Sequence, residues 1–158
     1  MNRVCVIAAA LAFLAISAFG QDFRKVSWGM SVEDVVSAES NLQFSQVDGT
    51  SNTMLTSHVE VMGHGGILRY IFESDKLVIA QYKFDDADDM RTYNKILGIL
   101  TDKYGQPADS GDATVHWKLA RTYISLSFKD NLCRVDYADQ GWVADAKEKR
   151  KAEYDSLF

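Results

Sequence analysis

DDMRTYNKILGILTDKYGQP, residues 88–107, is the stretch that decides the fold of this 158-residue chain. Its apolar residues are spaced three and four apart, so they share one face of a helix. They are Met90, Tyr93, Ile96, Leu97, Leu100 and Tyr104. Strand-like segments flank this stretch on both sides. The sequence therefore predicts an amphipathic helix that lies across a sheet made by both halves of the chain.

Both ends of this helix are marked in the sequence. Asp88 or Asp89 is expected to cap its start, where the first N–H groups lack partners and negative charge is favoured. Gly105 is expected to take the left-handed conformation that closes a helix, and Pro107 prevents its continuation.

The first half of the chain has a helix followed by strands. Residues 22–30 are a lead-in, which forms a short edge strand or packs on the core. Ser31 and Asp34 have the spacing of a capping box, and the helix that they open is expected to end at Asn41. Its apolar face is expected to be Met30, Val32, Val35 and Val36. Strands are predicted at 42–47, 53–62, 67–73 and 77–84, separated by a turn at 48–52, a glycine-rich loop at 63–66 and a hairpin turn at 74–76.

The predicted hairpin 67–84 is apolar on both faces. Leu68, Tyr70 and Phe72 face one way. Ile67, Arg69 and Ile71 face the other. In its second strand, the residues assigned to one side are Val78, Ala80, Tyr82 and Phe84. We expect one face to meet the helices and the other to be only partly solvated.

The second half repeats the order of helix and then strands. A polar loop at 108–113 precedes strands at 114–119, 123–129 and 133–137, with turns at 120–121 and 130–131. A C-terminal helix with docked apolar ends is predicted from about residue 139. The fold class is therefore α+β, with antiparallel meander strands, helices on one face, helix-then-meander order used twice, and a C-terminal helix.

Residues 1–20 have the features of a signal peptide. Arg3 is the positive start, residues 4–18 form an apolar run, and Ala18 and Gly20 are the small residues that a signal peptidase reads. The run is shorter than the roughly 20 residues that a membrane-spanning helix needs. We therefore expect cleavage before Gln21, no membrane span afterwards, a single domain at 21–158, and a periplasmic or secreted protein.

The mature chain of 138 residues has a formal net charge of −6, because Arg3 is the one charged residue removed. This acidity argues against nucleic acid or an anionic membrane as the main partner. Lys147, Lys149, Arg150 and Lys151 form the single candidate for a local basic patch. Cys133 is the one remaining cysteine, so no internal disulfide forms. Its place in an alternating strand predicts a buried, inert thiol, with a nucleophile or an intermolecular bridge as the alternatives.

The sequence carries no complete signature of a catalytic or metal site. His58, His64 and His116 lack metal-ligand spacing, and they are interpreted as exposed histidines. The loop Gly63-His64-Gly65-Gly66 precedes a strand, whereas phosphate-binding loops precede a helix. It is interpreted as a hairpin connection.

Acidic and aromatic side chains also have structural interpretations. Asp85, Asp86, Asp88 and Asp89 lack the calcium-loop pattern and are interpreted as charge at a helix entry, with weak divalent binding as the alternative. Trp28, Trp117 and Trp142 are interpreted as core or docking residues. No catalytic or metal-ligating residue is nominated, no cofactor is expected, and the protein is predicted not to be an enzyme.

One short motif resembles a known group. Trp28-Gly29-Met30-Ser31, followed by Glu33-Asp34-Val35, resembles the helix opening of small exported proteins of the SmpA/OmlA outer-membrane assembly type and of the beta-lactamase-inhibitor-like fold. The resemblance covers about twenty residues. The lipidation cysteine of the lipoprotein group is missing here. The resemblance implies a helix-plus-meander fold that is used for protein contacts without catalysis.

Two functions are carried forward from the sequence. The first is a small exported, non-catalytic protein-binding or envelope assembly module whose partner is another envelope or extracellular protein. The alternative is a periplasmic small-ligand carrier or sensor with a pocket between sheet and helices. Its pocket would be lined by Tyr70, Tyr82, Trp117 or Tyr137.

The predicted signal peptide is tested by the start of the mature chain. Expression of the full gene product in cells with a secretory pathway should give a protein that begins at Gln21, because the apolar run is removed during export. Intact mass spectrometry of the periplasmic or secreted fraction measures this start. A chain that keeps residues 1–20 and sediments with membranes would contradict the prediction.

Overall fold

The computed structural model describes residues 21–46, 52–61, 63–84, 90–109, 111 and 113–156. The predicted signal peptide and Asp85–Asp89 lie outside the described residues. Three helices are present in the described chain: α1 (Val32–Ala38), α2 (Arg91–Tyr104) and α3 (Gln140–Asp155). The strands are β1 (Gln43–Gln46), β2 (Thr53–Val61), β3 (His64–Glu73), β4 (Lys76–Phe84), β5 (Ala108–Asp109), β6 (Thr114–Lys118), β7 (Thr122–Lys129) and β8 (Leu132–Asp139).

The strands form one eight-stranded sheet in the order β1-β2-β3-β4-β8-β7-β6-β5, with each pair antiparallel. The two meanders meet at the centre, where Ala80 pairs with Tyr137 and Tyr82 with Val135. The predicted α+β class, with helix-then-meander order used twice and a C-terminal helix, is therefore confirmed.

The core lies between α1, α2 and one face of this sheet, which we call the inner face. Alternation along the strands places Leu55, Tyr70 and Leu126 on it, all fully buried. Val35 of α1 and Leu100 of α2 belong to the same cluster and are also fully buried. The side chains predicted to face the core are buried: the exposed fraction is 2% for Ile96, 0% for Leu100 and 4% for Trp117.

Helix α2 follows the predicted periodicity but starts differently. Met90, expected on the apolar face, occupies the N-cap position without a side-chain cap and is 37% exposed. The expected caps Asp88 and Asp89 lie outside the described residues. The end is as predicted: Gly105 has φ +84°, and its N–H donates to Thr101 O at 2.8 Å.

Helix α1 opens with the predicted capping box. The N–H of Asp34 donates to Ser31 Oγ at 3.1 Å, and the N–H of Ser31 donates to Asp34 Oδ2 at 3.3 Å. The helix is shorter than predicted, since it ends at Ala38. Val36 was expected on the apolar face, but it is 42% exposed because this short helix turns mainly Val35 into the core.

Two predicted loops next to the strands are corrected. The glycine-rich loop is largely strand, since β3 begins at His64. A Cβ on Gly66 would lie 2.9 Å from Lys83 O and Phe84 Cδ1, so close approach of β4 explains this glycine. The predicted polar loop at 108–113 contains β5, whose Ala108 pairs with His116.

A bulge corrects the predicted faces of β4. Ile71 pairs with Ile79 and Phe72 with Leu77, so Val78 is an extra residue in β4. Leu77, rather than Val78, therefore joins Ala80, Tyr82 and Phe84 on the inner face. Local alternation does not reveal a bulge, because the extra residue is defined only by the partner strand.

Helix α3 is capped by Asp139, whose Oδ1 accepts from the N–H of Gly141 at 2.7 Å. It is largely exposed, as predicted, and contacts β8 and β7. Docking of its far end was predicted, but Tyr154 is 67% exposed. Leu157 and Phe158 lie outside the described residues. None of the helices in the described chain is long and apolar enough to cross a membrane.

Truncation of α2 tests its role in the core. Leu100→Ala should lower the free energy of unfolding by about 2–5 kcal/mol, because it leaves a cavity under a fully buried side chain. Urea unfolding of the mature chain measures this change. Tyr154→Ala, at a position that is 67% exposed, is the control and should shift stability by less than about 0.5 kcal/mol. Equal effects of the two substitutions would contradict the packing of α2.

Candidate functional site

The face of the sheet opposite α1 and α2, which we call the outer face, carries an apolar row. Strand register aligns one residue from each of five neighbouring strands. These residues are Met54, Ile71, Ile79, Ala138 and Tyr123, in order from β2 to β7. Ala138 is buried, and the other four are partly exposed. Ile67 lies on the same face of β3, two residues before Arg69 and four before Ile71. It adds a further partly exposed apolar side chain. The predicted apolar second face of the hairpin is therefore present and partly solvated.

A chain of hydrogen bonds lies beside the apolar row, and we call it the polar row. Arg69 Nη1 donates to Gln81 Oε1 at 3.3 Å, and Gln81 Nε2 donates to Asp136 Oδ1 at 2.6 Å. Arg134 Nε completes it at 3.0 Å from Asp136 Oδ2. Gln81 is buried, at 8% exposure. These contacts fix the side chains in one orientation across β3, β4 and β8.

Burial affects two groups in the polar row: it changes the pKa of one and leaves a nitrogen of the other without a hydrogen bond. Burial raises the pKa of Asp136, while Arg134 and Gln81 pull that pKa downward. Arg69 Nε is buried and has no hydrogen-bond partner in the described chain. Sequence reasoning missed this row. Its one sequence signal was that Arg69, Gln81 and Asp136 occupy outward positions of alternating strands.

Helix α3 lies against one end of the outer face. Lys147 Nζ stands 5.5 Å from the centre of the Tyr123 ring, in a cation–π contact. Trp142 Nε1 donates to Glu73 Oε2 of β3. On the other side of Tyr123, the His116 ring stacks at 5.4 Å. Tyr123 is thus held by α3 and β6, whereas Met54, Ile71 and Ile79 lie farther along the row.

Two surface grooves border the outer face. One, of about 620 Å³, lies between α3 and the β3–β4 turn and is lined by Trp142, Val78 and Lys149 among others. The second, of about 800 Å³, lies at the β7–β8 turn and includes Lys83, Lys129 and Arg134. Arg134 is already paired with Asp136, so this groove is not an open cluster of free cations.

The residues proposed to line a ligand pocket lie in the interior. The rings of Tyr70, Tyr82 and Tyr137 surround Phe23, at centroid distances of 6.0, 5.5 and 4.8 Å. Each of these tyrosines is at most 5% exposed. Trp117 Nε1 donates to Gly105 O at 2.8 Å, which ties the end of α2 to β6. These rings fill the space between sheet and helices around Phe23.

A buried acidic residue on the inner side is fully engaged in a local network. Glu39 Oε1 accepts from Arg24 Nε at 3.0 Å and from Tyr70 OH at 3.0 Å. Arg24 Nη1 also lies 3.4 Å from Tyr82 OH. Sequence reasoning missed this cluster, because Arg24 and Glu39 are fifteen positions apart and belong to no motif. The arrangement is typical of a structural ion pair, since both carboxylate oxygens face partners.

The candidate metal and nucleophile residues are separated. Strand register places His58 on the outer face and His64 on the inner side, while His116 stacks on Tyr123. The described residues contain no group of three or more histidine, cysteine or acidic side chains able to hold a metal ion. Cys133 is fully buried, and burial raises the pKa of its thiol to about 11, so its nucleophilic form is disfavoured.

Together the geometry defines a one-sheet α+β protein with a filled interior and a partly exposed, polar-edged outer face. A family model described as the TP0088 domain matches residues 21–149, and the chain therefore belongs to the TP0088 domain family. Neither the curated proteins nor the solved structures give a match. The resemblance to SmpA/OmlA-type and beta-lactamase-inhibitor-like proteins stays a prediction.

The interior tyrosines predict an alkaline limit of stability. Burial raises the pKa of Tyr82 and Tyr137, and burial with the nearby Glu39 raises that of Tyr70. The folded state then holds these protons more tightly than the unfolded state. Their contribution is fully present below the unfolded tyrosine pKa of about 10 and is lost as pH rises above it.

We expect alkaline titration to release the protons of the three buried tyrosines only as the protein unfolds. The rise in tyrosinate absorbance from these rings should therefore coincide with loss of circular dichroism. Tyr154→Phe, at a position that is 67% exposed, is the control and should leave this coincident rise unchanged. Ionisation of all tyrosines in one transition near pH 10, with the fold intact, would contradict the described packing.

Proposed function

We propose that this protein is an exported, non-catalytic protein-binding module, and that it docks its partner on the outer face of the sheet. The observation that carries the proposal is the apolar row, with partly exposed Met54, Ile71 and Ile79. A sheet face that only meets water normally carries polar side chains. Isoleucines held in register across β3 and β4 are typical of a surface that a partner covers.

The polar row supports docking at the same place. Protein interfaces combine an apolar centre with polar groups at the border, and fixed polar groups set the orientation of the partner. Arg69, Gln81 and Asp136 are linked by hydrogen bonds and lie directly beside Ile71 and Ile79 in the strand register. Docking would therefore cost little conformational entropy for these three side chains, because they are already held in place.

Export is supported by the limits of the family match. The match begins at residue 21, which is the first residue after the predicted cleavage point. The partner is therefore proposed to be another envelope or extracellular protein. A carrier function has less support, because Tyr70, Tyr82 and Tyr137 pack on Phe23 and fill the place where the sequence predicted a pocket.

Site-specific photo-crosslinking in the producing cells tests the proposed docking face. A photoreactive phenylalanine analogue at position 71 or 79 should give a discrete crosslinked partner, which mass spectrometry identifies. The same analogue at position 154 is the control, because Tyr154 is 67% exposed and lies at the far end of α3. The position-71 and position-79 products should be the same protein.

A matched double variant completes the test. Ile71→Ser with Ile79→Ser should abolish recovery of that partner with the purified mature protein, and Tyr154→Ser should leave recovery unchanged. Circular dichroism and urea unfolding establish that each variant is folded. Equal crosslinking from positions 71, 79 and 154, or unchanged recovery with the folded double variant, would rule out the outer face as the docking surface.

A further inference from the structure

The two edges of the sheet differ in how well they are protected. At one edge, β5 is two residues long and follows Pro107 directly. Short length and proline are devices that keep a sheet edge from pairing with another chain. At the other edge, β1 has four residues, QFSQ, with neither a charge nor a proline. β1 pairs with β2 on one side, and no other described strand pairs with its second side.

An aromatic side chain marks the unprotected edge. Phe44 is the middle of β1 and pairs with Leu55, so it projects on the inner face. Leu55 is fully buried, whereas Phe44 is 67% exposed. Full burial of such a side chain is worth about 1.5–3 kcal/mol. A strand added beside β1 would place a side chain next to this ring at cross-strand distance.

The charged residues in the stretch of sequence that includes this edge are of one sign. From Val26 to Leu68 the sequence contains no lysine and no arginine. The same stretch, which includes α1, β1 and β2, contains Glu33, Asp34, Glu39, Asp48 and Glu60. Of these, Glu39 is paired with Arg24, and Glu33, Asp34 and Glu60 are exposed. The elements α1, β1 and β2 therefore add negative but no positive side-chain charge to the field of the molecule, which attracts positive charge.

We propose that β1 accepts a short, extended, lysine- or arginine-bearing segment of a partner protein, which adds to the sheet as a ninth strand. Main-chain hydrogen bonds to the free side of β1 give the segment its direction, and an apolar side chain of the segment packs on Phe44. The carboxylates of α1 and β2, with no cation in the same stretch of sequence, favour a basic segment over an acidic one. A second copy of this chain fits less well, because it would bring an equally acidic, cation-free edge. The inference rests on the proposed protein-binding function but uses a different surface from the outer face.

Defined peptides test the strand addition. The probe is a fluorescent eight-residue peptide of alternating lysine and valine, and its binding to the mature chain is followed by anisotropy at low salt. The acidic counterpart, with glutamate in place of lysine, should bind at least about tenfold more weakly. A lysine–valine peptide with alternate backbone amides methylated should lose binding by a similar factor, because it cannot pair with β1.

Variants of the protein locate the binding. Phe44→Ser should weaken the lysine–valine peptide about tenfold, since the ring contact is lost. The equally exposed Tyr154→Ser and the outer-face Ile71→Ser, Ile79→Ser variants should change the affinity less than twofold. Equal binding of the acidic or methylated peptide, or no effect of Phe44→Ser, overturns the proposal. A dimer that forms without peptide and is lost in Phe44→Ser, measured by light scattering, also overturns it.

The outcomes separate this inference from the proposed function. If photo-crosslinks form at positions 71 and 79 while the peptides bind without regard to charge or to Phe44, strand addition at β1 is wrong and outer-face docking stands. If the peptide behaves as expected and positions 71 and 79 give no specific crosslink, the outer-face proposal fails and the edge site stands.

Discussion

The pairing of β4 with β8 is the contact on which the rest of the structure depends. It joins two meanders into one sheet, through Ala80 opposite Tyr137 and Tyr82 opposite Val135. Phe23 of the lead-in lies over this junction and touches the rings of Tyr82 and Tyr137. Because both meanders then present one continuous inner face, α1 and α2 share a single core instead of forming two small ones. A second consequence is that α1 and α2 leave the opposite face of the sheet uncovered.

The two polar networks of the sheet have different consequences. On the inner side, Glu39 is surrounded by Arg24 and Tyr70 and leaves no carboxylate oxygen facing an empty space. Such a buried pair contributes mainly to a unique arrangement of the lead-in over the core, since desolvation offsets much of its attraction. On the outer side, Arg69, Gln81 and Asp136 are also linked, but their neighbours are partly exposed isoleucines. These hydrogen bonds therefore fix side chains beside a partly exposed surface and not within the core.

Proteins that act without a partner usually keep apolar sheet faces covered and sheet edges protected. The outer face and the β1 edge of this sheet depart from that pattern. Helix α3 contacts β7 and β8, and Met54, Ile71 and Ile79 of the apolar row stay partly exposed. The edge at β5 is protected by its length and by Pro107, whereas strand β1 itself has no charged residue or proline and carries Phe44. The TP0088 family match, residues 21–149, includes every strand of the described sheet and the first part of α3. Both candidate surfaces thus belong to the domain that defines the family.

The sequence by itself determined those features that depend on near neighbours along the chain. The spacing of Tyr93, Ile96 and Leu100 predicted α2, and Gly105 marked its end, because helical faces and caps involve residues within four positions. The capping box of α1 and the β6–β7–β8 meander followed for the same reason. The apolar character of both hairpin faces, at Ile71 and Tyr70, was likewise visible from alternation alone.

Only the tertiary structure decided what depends on partners distant in sequence. The bulge at Val78 and the close approach at Gly66 are defined by the neighbouring strand, and the strand β5 exists through its pairing with β6. The polar row joins Gln81 to Asp136 across fifty-five positions, for which no local spacing gives a signal. Contacts of this kind form when strands from separate parts of the chain meet. The sequence therefore showed which residue types the candidate surfaces contain. Only the fold places these residues together on one face or at one edge of the sheet.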